Sequence, residues 1–219
     1  MGKKHSFKGA GIFFAVFIVY TLLVKFVDVA PAGASNTEVG FSTINGLFFK
    51  LFSGSDFCYK LTQICGYLSL LAVLAFAALG CFQLIKGKSL KAVDPRIITL
   101  GIYFVIVIIL YVIFEFVVIN CRPVLMDGEL EASYPSSHTM LALTVSYAVV
   151  MFFNRSKLGR NIKQYITSAA FIFMILVIVG RLVSGVHWFT DIVGAIILSI
   201  AVMNLFAPIY DLVQKYMKK

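Results

Sequence analysis

The stretch IITLGIYFVIVIILYVIFEFVVI, residues 97–119, decides the class of fold. Glu115 is its only charged residue, and most of the other side chains are aliphatic or aromatic. At a rise of about 1.5 Å per residue, a helix of this length crosses the roughly 30 Å hydrocarbon core of a bilayer. The stretch therefore predicts a transmembrane helix.

Similar apolar runs occur on both sides of this stretch. The 219-residue chain is 60% hydrophobic and 13% charged, against about 25% charged residues in a typical soluble domain. The predicted spans are 10–27, 65–84, 97–119, 136–153, 166–183 and 189–210. We find no internal repeat and no sign of a second domain, so the expected fold is an all-α integral membrane domain covering residues 1–219.

The charge of the loops alternates along the chain. Basic residues follow spans two and four and occupy both ends of the chain: Lys3, Lys4, Lys8, Lys86, Lys88, Lys91, Arg96, Arg155, Lys157, Arg160, Lys163, Lys215, Lys218 and Lys219. The segment after span three instead carries Asp127, Glu129 and Glu131 against Arg122. The positive-inside rule therefore predicts cytoplasmic termini in the plasma membrane, with YPSSH, residues 134–138, on the extracellular or periplasmic side.

The same rule accounts for the net charge of +9 without nucleic-acid binding. The first span, followed by AGAS at residues 32–35, also resembles a cleavable signal peptide, although its apolar run is long and Lys25 interrupts it. Residues 41–57 predict an amphipathic helix on the outer surface. The four cysteines show no metal-ligand spacing, and we expect apolar packing residues, with a disulfide as the alternative.

Five ionisable residues converge on the predicted outer face. His138 opens span four, His187 lies between spans five and six, and Asp191 is in the first turn of span six. Arg122 and Arg181 lie at the outer ends of spans three and five. Ionisable residues at membrane depth are costly, so a functional role with a partner is the default expectation.

Local spacing suggests what these residues do. His187 and Asp191 are four apart, so a helix would place them on one face, with Asp191 orienting the imidazole for nucleophilic attack. Ser136 and Ser137 lie where a helix starts, which is a ready anion site. Together with two arginines, this set predicts phosphoryl transfer. Taken singly, each residue also has a structural explanation: helix caps, interfacial arginines and a structural histidine.

Three motifs in this region resemble the type 2 phosphatidate phosphatase superfamily of membrane lipid phosphatases. The family signature is KxxxxxxRP, PSGH and SRxxxxxHxxxD. The chain has EFVVINCRP at 115–123, PSSH at 135–138 and GRLVSGVHWFTD at 180–191. Eight of the 11 defined positions match, in the family's order and with its internal spacing.

The resemblance implies six spans with both termini inside and a reaction through a phosphohistidine. It implies that His187 is the nucleophile, that Asp191 orients it and that His138 is the general acid. The phosphate oxygens would be held by Arg122 and Arg181 with Ser136 and Ser137. The family needs neither metal nor cofactor, and none is expected here.

The departures from the signature are unequal in weight. Ser137 replaces a glycine and Gly180 replaces a serine, which removes one possible phosphate donor. Glu115 replaces the lysine and reverses its charge. If the helix continues to Arg122, Glu115 lies about 10 Å deeper on the same face. We expect it to form a buried ion pair with Arg122 or Arg181, or to meet a cationic or hydroxylated headgroup.

The expected function is therefore a metal-independent lipid phosphatase, of a size that suggests a bacterial enzyme. Its partner would be a lipid phosphate or diphosphate in the outer leaflet: undecaprenyl diphosphate, phosphatidylglycerophosphate or phosphatidate. Two alternatives stay open. One is a lipid phosphotransferase with an acceptor other than water, and the other is a non-catalytic protein that binds or transports lipid phosphates.

Overall fold

The computed structural model describes residues 5–218 and is almost entirely helical. In chain order its elements are α1 (Lys8–Phe26), β1 (Ala30–Ala32), β2 (Thr37–Val39), α2 (Ser42–Phe52), α3 (Asp56–Gly87), a single 3₁₀ turn (Leu90–Ala92), α4 (Pro95–Phe116), α5 (Ser137–Asn154), α6 (Arg160–Ser184) and α7 (Phe189–Met217). Within the described residues, six helices are long and apolar enough to cross a membrane: α1 and α3 to α7. The six predicted spans are confirmed as helices.

The bounds of the helices differ from the predicted spans at several ends, including the start of α6, which begins at Arg160 instead of residue 166. α3 begins at Asp56 instead of residue 65, because the Ser55 hydroxyl caps it by accepting a hydrogen bond from the N–H of Cys58, 3.2 Å away. α7 continues past residue 210 to Met217. α4 ends at Phe116 instead of residue 119, which changes the expected position of Arg122.

α7 is the central helix of the bundle. It packs against α1, α4 and α5, and its buried face includes the small residues Gly194, Ala195, Ser199 and Ala201. Small residues let helix backbones approach closely, which is the usual basis of packing between membrane helices. Large apolar side chains of α1, α3, α4 and α6 point away from the bundle and are exposed, as expected for surfaces in contact with lipid.

α1 and α7 run antiparallel, which defines the two ends of the bundle. At one end the backbone N–H of His5 donates to the Asp211 carboxylate, 2.9 Å away. At the other end the Tyr20 hydroxyl donates to the carbonyl of Thr190, at 3.2 Å. The second end also holds the start of α5 and the end of α6, so the three sequence motifs meet there.

The predicted amphipathic helix is α2, and it is docked onto the start of α7. Asn45 of α2 is fully buried and accepts a hydrogen bond from the N–H of Thr190, at 3.1 Å. Its amide nitrogen donates to the Thr190 hydroxyl and to the Gly40 carbonyl. Asn45 therefore satisfies one of the free N–H groups at the start of α7. The four cysteines are free thiols, so the alternative of a disulfide is not realised.

Candidate active site

The start of α5 is built as the sequence predicts. Ser136 is the N-cap, and its buried hydroxyl accepts hydrogen bonds from the hydroxyl of Thr139, at 3.0 Å, and from the Thr139 N–H, at 3.5 Å. Capping therefore uses the Ser136 side chain. Ser137 is the first residue of the helix, and its partly exposed side chain lines a cavity together with His138 and His187.

His187 lies in the turn between α6 and α7. α6 ends at Ser184 and is capped by Gly185, whose φ of 73° is in the left-handed region that favours glycine, and α7 begins two residues after His187. The Nδ1 atom of His187 is 3.1 Å from the carbonyl oxygen of Ser133. A carbonyl only accepts, so Nδ1 carries the proton and Nε2 holds the lone pair.

The Nε2 atom of His187 is buried and has no hydrogen-bond partner within residues 5–218. Burial lowers the pKa of His187 well below its usual value, and the nearby cations Arg122 and Arg181 lower it further. The hydrogen bond with Ser133 opposes this shift and is the smaller effect. His187 is therefore a neutral imidazole with an unpartnered lone pair on Nε2, and the residue lines the cavity.

Asp191 lies close to His187, but the predicted arrangement on one helix face is wrong. His187 precedes α7, and its Nδ1 atom is 3.8 Å from Oδ2 of Asp191, too far for a hydrogen bond. The same oxygen accepts a hydrogen bond from the N–H of Trp188, at 2.9 Å. Asp191 thus caps α7 and places a negative charge beside the imidazole, while Ser133 fixes the tautomer.

Asn120 is a residue of this site that the sequence reasoning missed. It is buried, and its amide nitrogen donates to Oδ1 of Asp191, at 3.3 Å. Its carbonyl accepts hydrogen bonds from the N–H of Ser133, at 2.9 Å, and from the Ser133 hydroxyl, at 3.1 Å. Asn120 therefore holds both groups that contact the His187 ring. One indication of its role is visible in the sequence: Asn120 is a polar residue directly after the apolar run 97–119.

Arg181 is buried with no acidic partner. Its exposed fraction is 1%, and it forms no ion pair within the described residues. Its Nη1 atom donates to the hydroxyl of Thr62, at 3.3 Å, and its Nη2 atom donates to Nδ1 of His138, at 2.8 Å. The Nε atom has no partner among residues 5–218. The guanidinium thus keeps a positive charge that no side chain in this part of the chain neutralises.

His138 lies between Arg181 and helix α3. Since arginine only donates, Nδ1 of His138 is the acceptor, and the proton of the neutral ring is on Nε2. The ring packs against Gly66, where a Cβ atom would lie 2.8 Å from Cδ2 and 3.1 Å from Nε2 of His138. Gly66 is therefore the residue that lets this histidine approach α3.

The expected pairing of Glu115 with an arginine is wrong. α4 ends at Phe116, so Arg122 lies in the loop beyond it and not on the helix face of Glu115. The Nε atom of Arg122 is 2.9 Å from Oε2 of Glu131, and its Nη1 atom donates to the Val186 carbonyl at 3.3 Å. Glu115 is exposed, and residues 5–218 offer it no ion pair.

Two adjoining cavities connect these groups. The first has a volume of about 600 Å³ and is lined by Arg122, Ser137, His138 and His187 together with acidic and apolar side chains. The second, of about 450 Å³, lies between α3, α4 and α5 and is mainly apolar. The two share Tyr111, Ser137, His138 and Met140. Arg122 and the two histidines suit a phosphate group, and the apolar second cavity suits a tail attached to it. Within the described residues there is no group of three His, Cys, Asp or Glu side chains that would hold a metal ion.

The fold and the site together define a helical membrane protein with two histidines and two arginines at one end of the bundle, of which His187 and Arg181 are buried. The model of the PAP2 superfamily matches residues 116–215, which include α5, the turn with His187 and nearly all of α7. The resemblance predicted from the motifs is confirmed, because these residues match the model of that superfamily.

A solved structure shares the fold over nearly the whole chain. It is the crystal structure described as the first transmembrane PAP2 type phosphatidylglycerolphosphate phosphatase from Bacillus subtilis. The TM-score is 0.54 at 16% sequence identity, and the match covers 96% of each chain. The helices upstream of residue 116 are therefore part of the common fold. No curated protein matches the sequence.

Proposed function

We propose that the protein is a membrane lipid phosphatase that hydrolyses a lipid phosphate through a phosphohistidine on His187. The observation that carries the proposal is Arg181, a buried cation with no acidic partner within residues 5–218. It is close enough to His187 to lower the pKa of that ring, whose Nε2 atom has no partner among the same residues. An unpaired buried charge costs several kcal/mol. A phosphate oxygen would supply the missing anion and bring phosphorus to the histidine. The superfamily match and the shared fold support the same class of reaction.

The first step is an attack by Nε2 of His187 on phosphorus. The N–P bond forms while the bond from phosphorus to the lipid oxygen breaks, and Arg122 and Arg181 bind the other phosphate oxygens. The ring becomes positively charged in this step. Its Nδ1–H already donates to the Ser133 carbonyl, and the carboxylate of Asp191 is 3.8 Å away, so the new charge is stabilised where it forms.

The leaving oxygen takes its proton from Nε2 of His138. To act as the general acid, His138 must first carry a proton on each ring nitrogen. In the structure its Nδ1 atom instead accepts the hydrogen bond from Arg181. When Arg181 turns its nitrogen toward the phosphate, Nδ1 is released and takes a proton from solvent, and the phosphate charge favours this doubly protonated ring. Water then attacks phosphorus, His138 takes the water proton, the N–P bond breaks, and phosphate leaves with His187 neutral.

The lipid tail would occupy the apolar cavity between α3, α4 and α5, which meets the polar cavity at His138. We propose the outer leaflet of the plasma membrane as the place of reaction, with both termini in the cytoplasm, because the basic loops lie at the opposite end of the bundle. Phosphatidate, phosphatidylglycerophosphate and undecaprenyl diphosphate are the candidate substrates.

The test is phosphate release by the detergent-purified protein in the presence of a chelator, with these three lipids and with a His187→Gln variant. We expect release by the wild type, loss in the variant at an unchanged unfolding temperature, and an acid-labile phosphoryl label on the wild type alone. Folded wild-type protein that releases no phosphate from any of them contradicts the proposal. A phosphorylated second lipid in place of free phosphate would identify a phosphotransferase, which the carboxylates lining the cavity could assist as bases.

A further inference from the structure

We infer that the preferred substrate carries an ammonium group beside its scissile phosphate, which the three candidate lipids lack; the inference rests on the proposed function. Three carboxylates, those of Glu115, Glu129 and Glu131, line the same cavity as His187. Arg122 is the only arginine or lysine among the residues that line it. A cavity for a simple dianionic phosphate would be expected to carry the opposite balance of charge.

The positions of the three glutamates are fixed by helix α4 and by a small hairpin. Glu115 is in the last turn of α4. The segments on either side of Gly128 pair as a small hairpin, in which Met126 and Glu129 exchange two backbone hydrogen bonds of 2.9 Å. Gly128 has a φ of 85°, which suits this tight turn. The backbone N–H of Arg122 also donates to the carbonyl of Glu131, at 3.0 Å.

The positive and negative charges of the site are separated. Arg181 is buried on the side of His138, and Arg122 is paired with Glu131. Glu115 and Glu129 are exposed and form no ion pair within residues 5–218. A ligand that places an anion at the arginines and a cation at these two glutamates matches both parts. A second phosphate at the same place would be repelled.

An independent observation indicates that a ligand enters this cavity. The Nε2 atom of His187 is buried, has no partner within the described residues, and belongs to a ring that lines the cavity. The glutamates therefore line the same cavity as the ring that carries the candidate nucleophile. Glu115 also replaces the lysine of the family signature, so the charge is reversed at a defined position of the motif. If Glu115 and Glu129 were only solvated surface residues, they would not affect the choice between substrates.

The test compares two single-chain lipid phosphates with the same chain and phosphate: one has a primary amine next to the phosphate, and the other is its uncharged N-acetyl derivative. Phosphatidate serves as a substrate without an amine. We expect kcat/KM to be about three- to tenfold higher for the amine, which is the range of one or two exposed ion pairs. The preference, measured as the ratio of kcat/KM for the amine to kcat/KM for its N-acetyl derivative, should fall toward one in Glu115→Gln and Glu129→Gln and at high salt.

Glu38→Gln is the matched control, because Glu38 is an exposed glutamate of β2 outside the cavity. Equal rates for the two lipids, or a preference that both glutamate variants retain, would overturn the inference and leave the proposed function intact. Faster hydrolysis of a lipid diphosphate than of the amine would also overturn it. Failure to hydrolyse phosphatidate and both test lipids would overturn the inference together with the proposed function.

Discussion

The Nδ1 atom of His138 lies 2.8 Å from the Nη2 atom of Arg181, so the candidate general acid is hydrogen-bonded to a residue that would bind the phosphate. Arg181 also donates to Thr62 of α3, and the three residues link α3, α5 and α6 at one point. The guanidinium therefore fixes the tautomer of His138 before substrate binds. It can release that ring when a phosphate competes for the same nitrogen.

Replacement of Arg181 by lysine should lower kcat/KM by about 10²- to 10³-fold, which is the range for loss of a positioned donor to the transition state. Lysine keeps the charge, but its three N–H donors share one atom and cannot reproduce the separated donors with which the guanidinium contacts Thr62 and His138 and would bind a phosphate. The measurement is steady-state phosphate release, with the unfolding temperature as a check of folding. Arg160→Lys, at the other end of α6, is the control and should remain near wild type. An Arg181→Lys activity within twofold of wild type would refute this role.

Replacement of Gly66 by alanine should displace His138. The new Cβ atom would lie 2.8 Å from Cδ2 of His138, closer than side chains approach one another, so the ring must move. A shift of about 1 Å in a catalytic group can cost about 10²-fold in rate, and we expect kcat to fall by one to two orders of magnitude with a smaller change in KM. Gly101→Ala is the control, because a Cβ atom there meets nothing within 4 Å. Equal kcat values for the two variants would show that His138 does not need this contact.

Replacement of Gly180 by serine should destabilise the protein, although serine is the family residue at this position. A Cβ atom at Gly180 would lie 2.5 Å from the Cγ2 methyl of Thr62. Overpacking of this kind typically costs about 1–3 kcal/mol. Thr62→Ser removes the methyl and keeps the hydroxyl that Arg181 contacts, so the double variant Thr62→Ser/Gly180→Ser should recover the loss.

The measurement is the unfolding temperature of the four proteins of this cycle in detergent. Additive losses in the double variant would show that the methyl of Thr62 is not the obstacle. A recovered double variant would show that Thr62 occupies the space of the missing serine and supplies a hydroxyl to Arg181 from a different helix.

The sequence predicts the membrane spans from the length of the apolar runs. It predicts that the three motifs lie at the same end of the bundle from the alternating charge of the loops. The first turns of α3 escaped this method, since Asp56, Lys60 and Gln63 make them polar although they are helical. Thr62 and Gly66 lie on this missed part of the bundle or next to it. They act by contact with Arg181 and His138, and nothing in their own sequence neighbourhood indicates that contact.

The two errors at the site come from assuming that helices continue. Four-residue spacing predicted that Asp191 orients His187, but α7 starts only at Phe189, and the partner of Nδ1 is a backbone carbonyl. Any residue at position 133 has such a carbonyl, so the sequence holds no sign of it. The pairing of Arg122 with Glu131 depends on the turn at Gly128, which joins residues that helical periodicity keeps apart.

The tautomer of His187 gives a prediction that depends on neither substrate nor rate. Burial, followed by the charges of Arg122 and Arg181, lowers its pKa, so the ring should remain neutral, with the proton on Nδ1, at the ordinary histidine pKa of about 6.5. The unfolded chain binds a proton there that the folded protein does not. The contribution of His187 to the free energy of unfolding is therefore present above about pH 6.5 and is lost as the pH falls below it.

¹⁵N NMR of histidine-labelled protein in micelles, assigned with His187→Gln and compared with the denatured chain, measures both the tautomer and the titration of His187. A His187 signal that titrates like the denatured chain, or that carries its proton on Nε2, would remove the basis for His187 as the nucleophile.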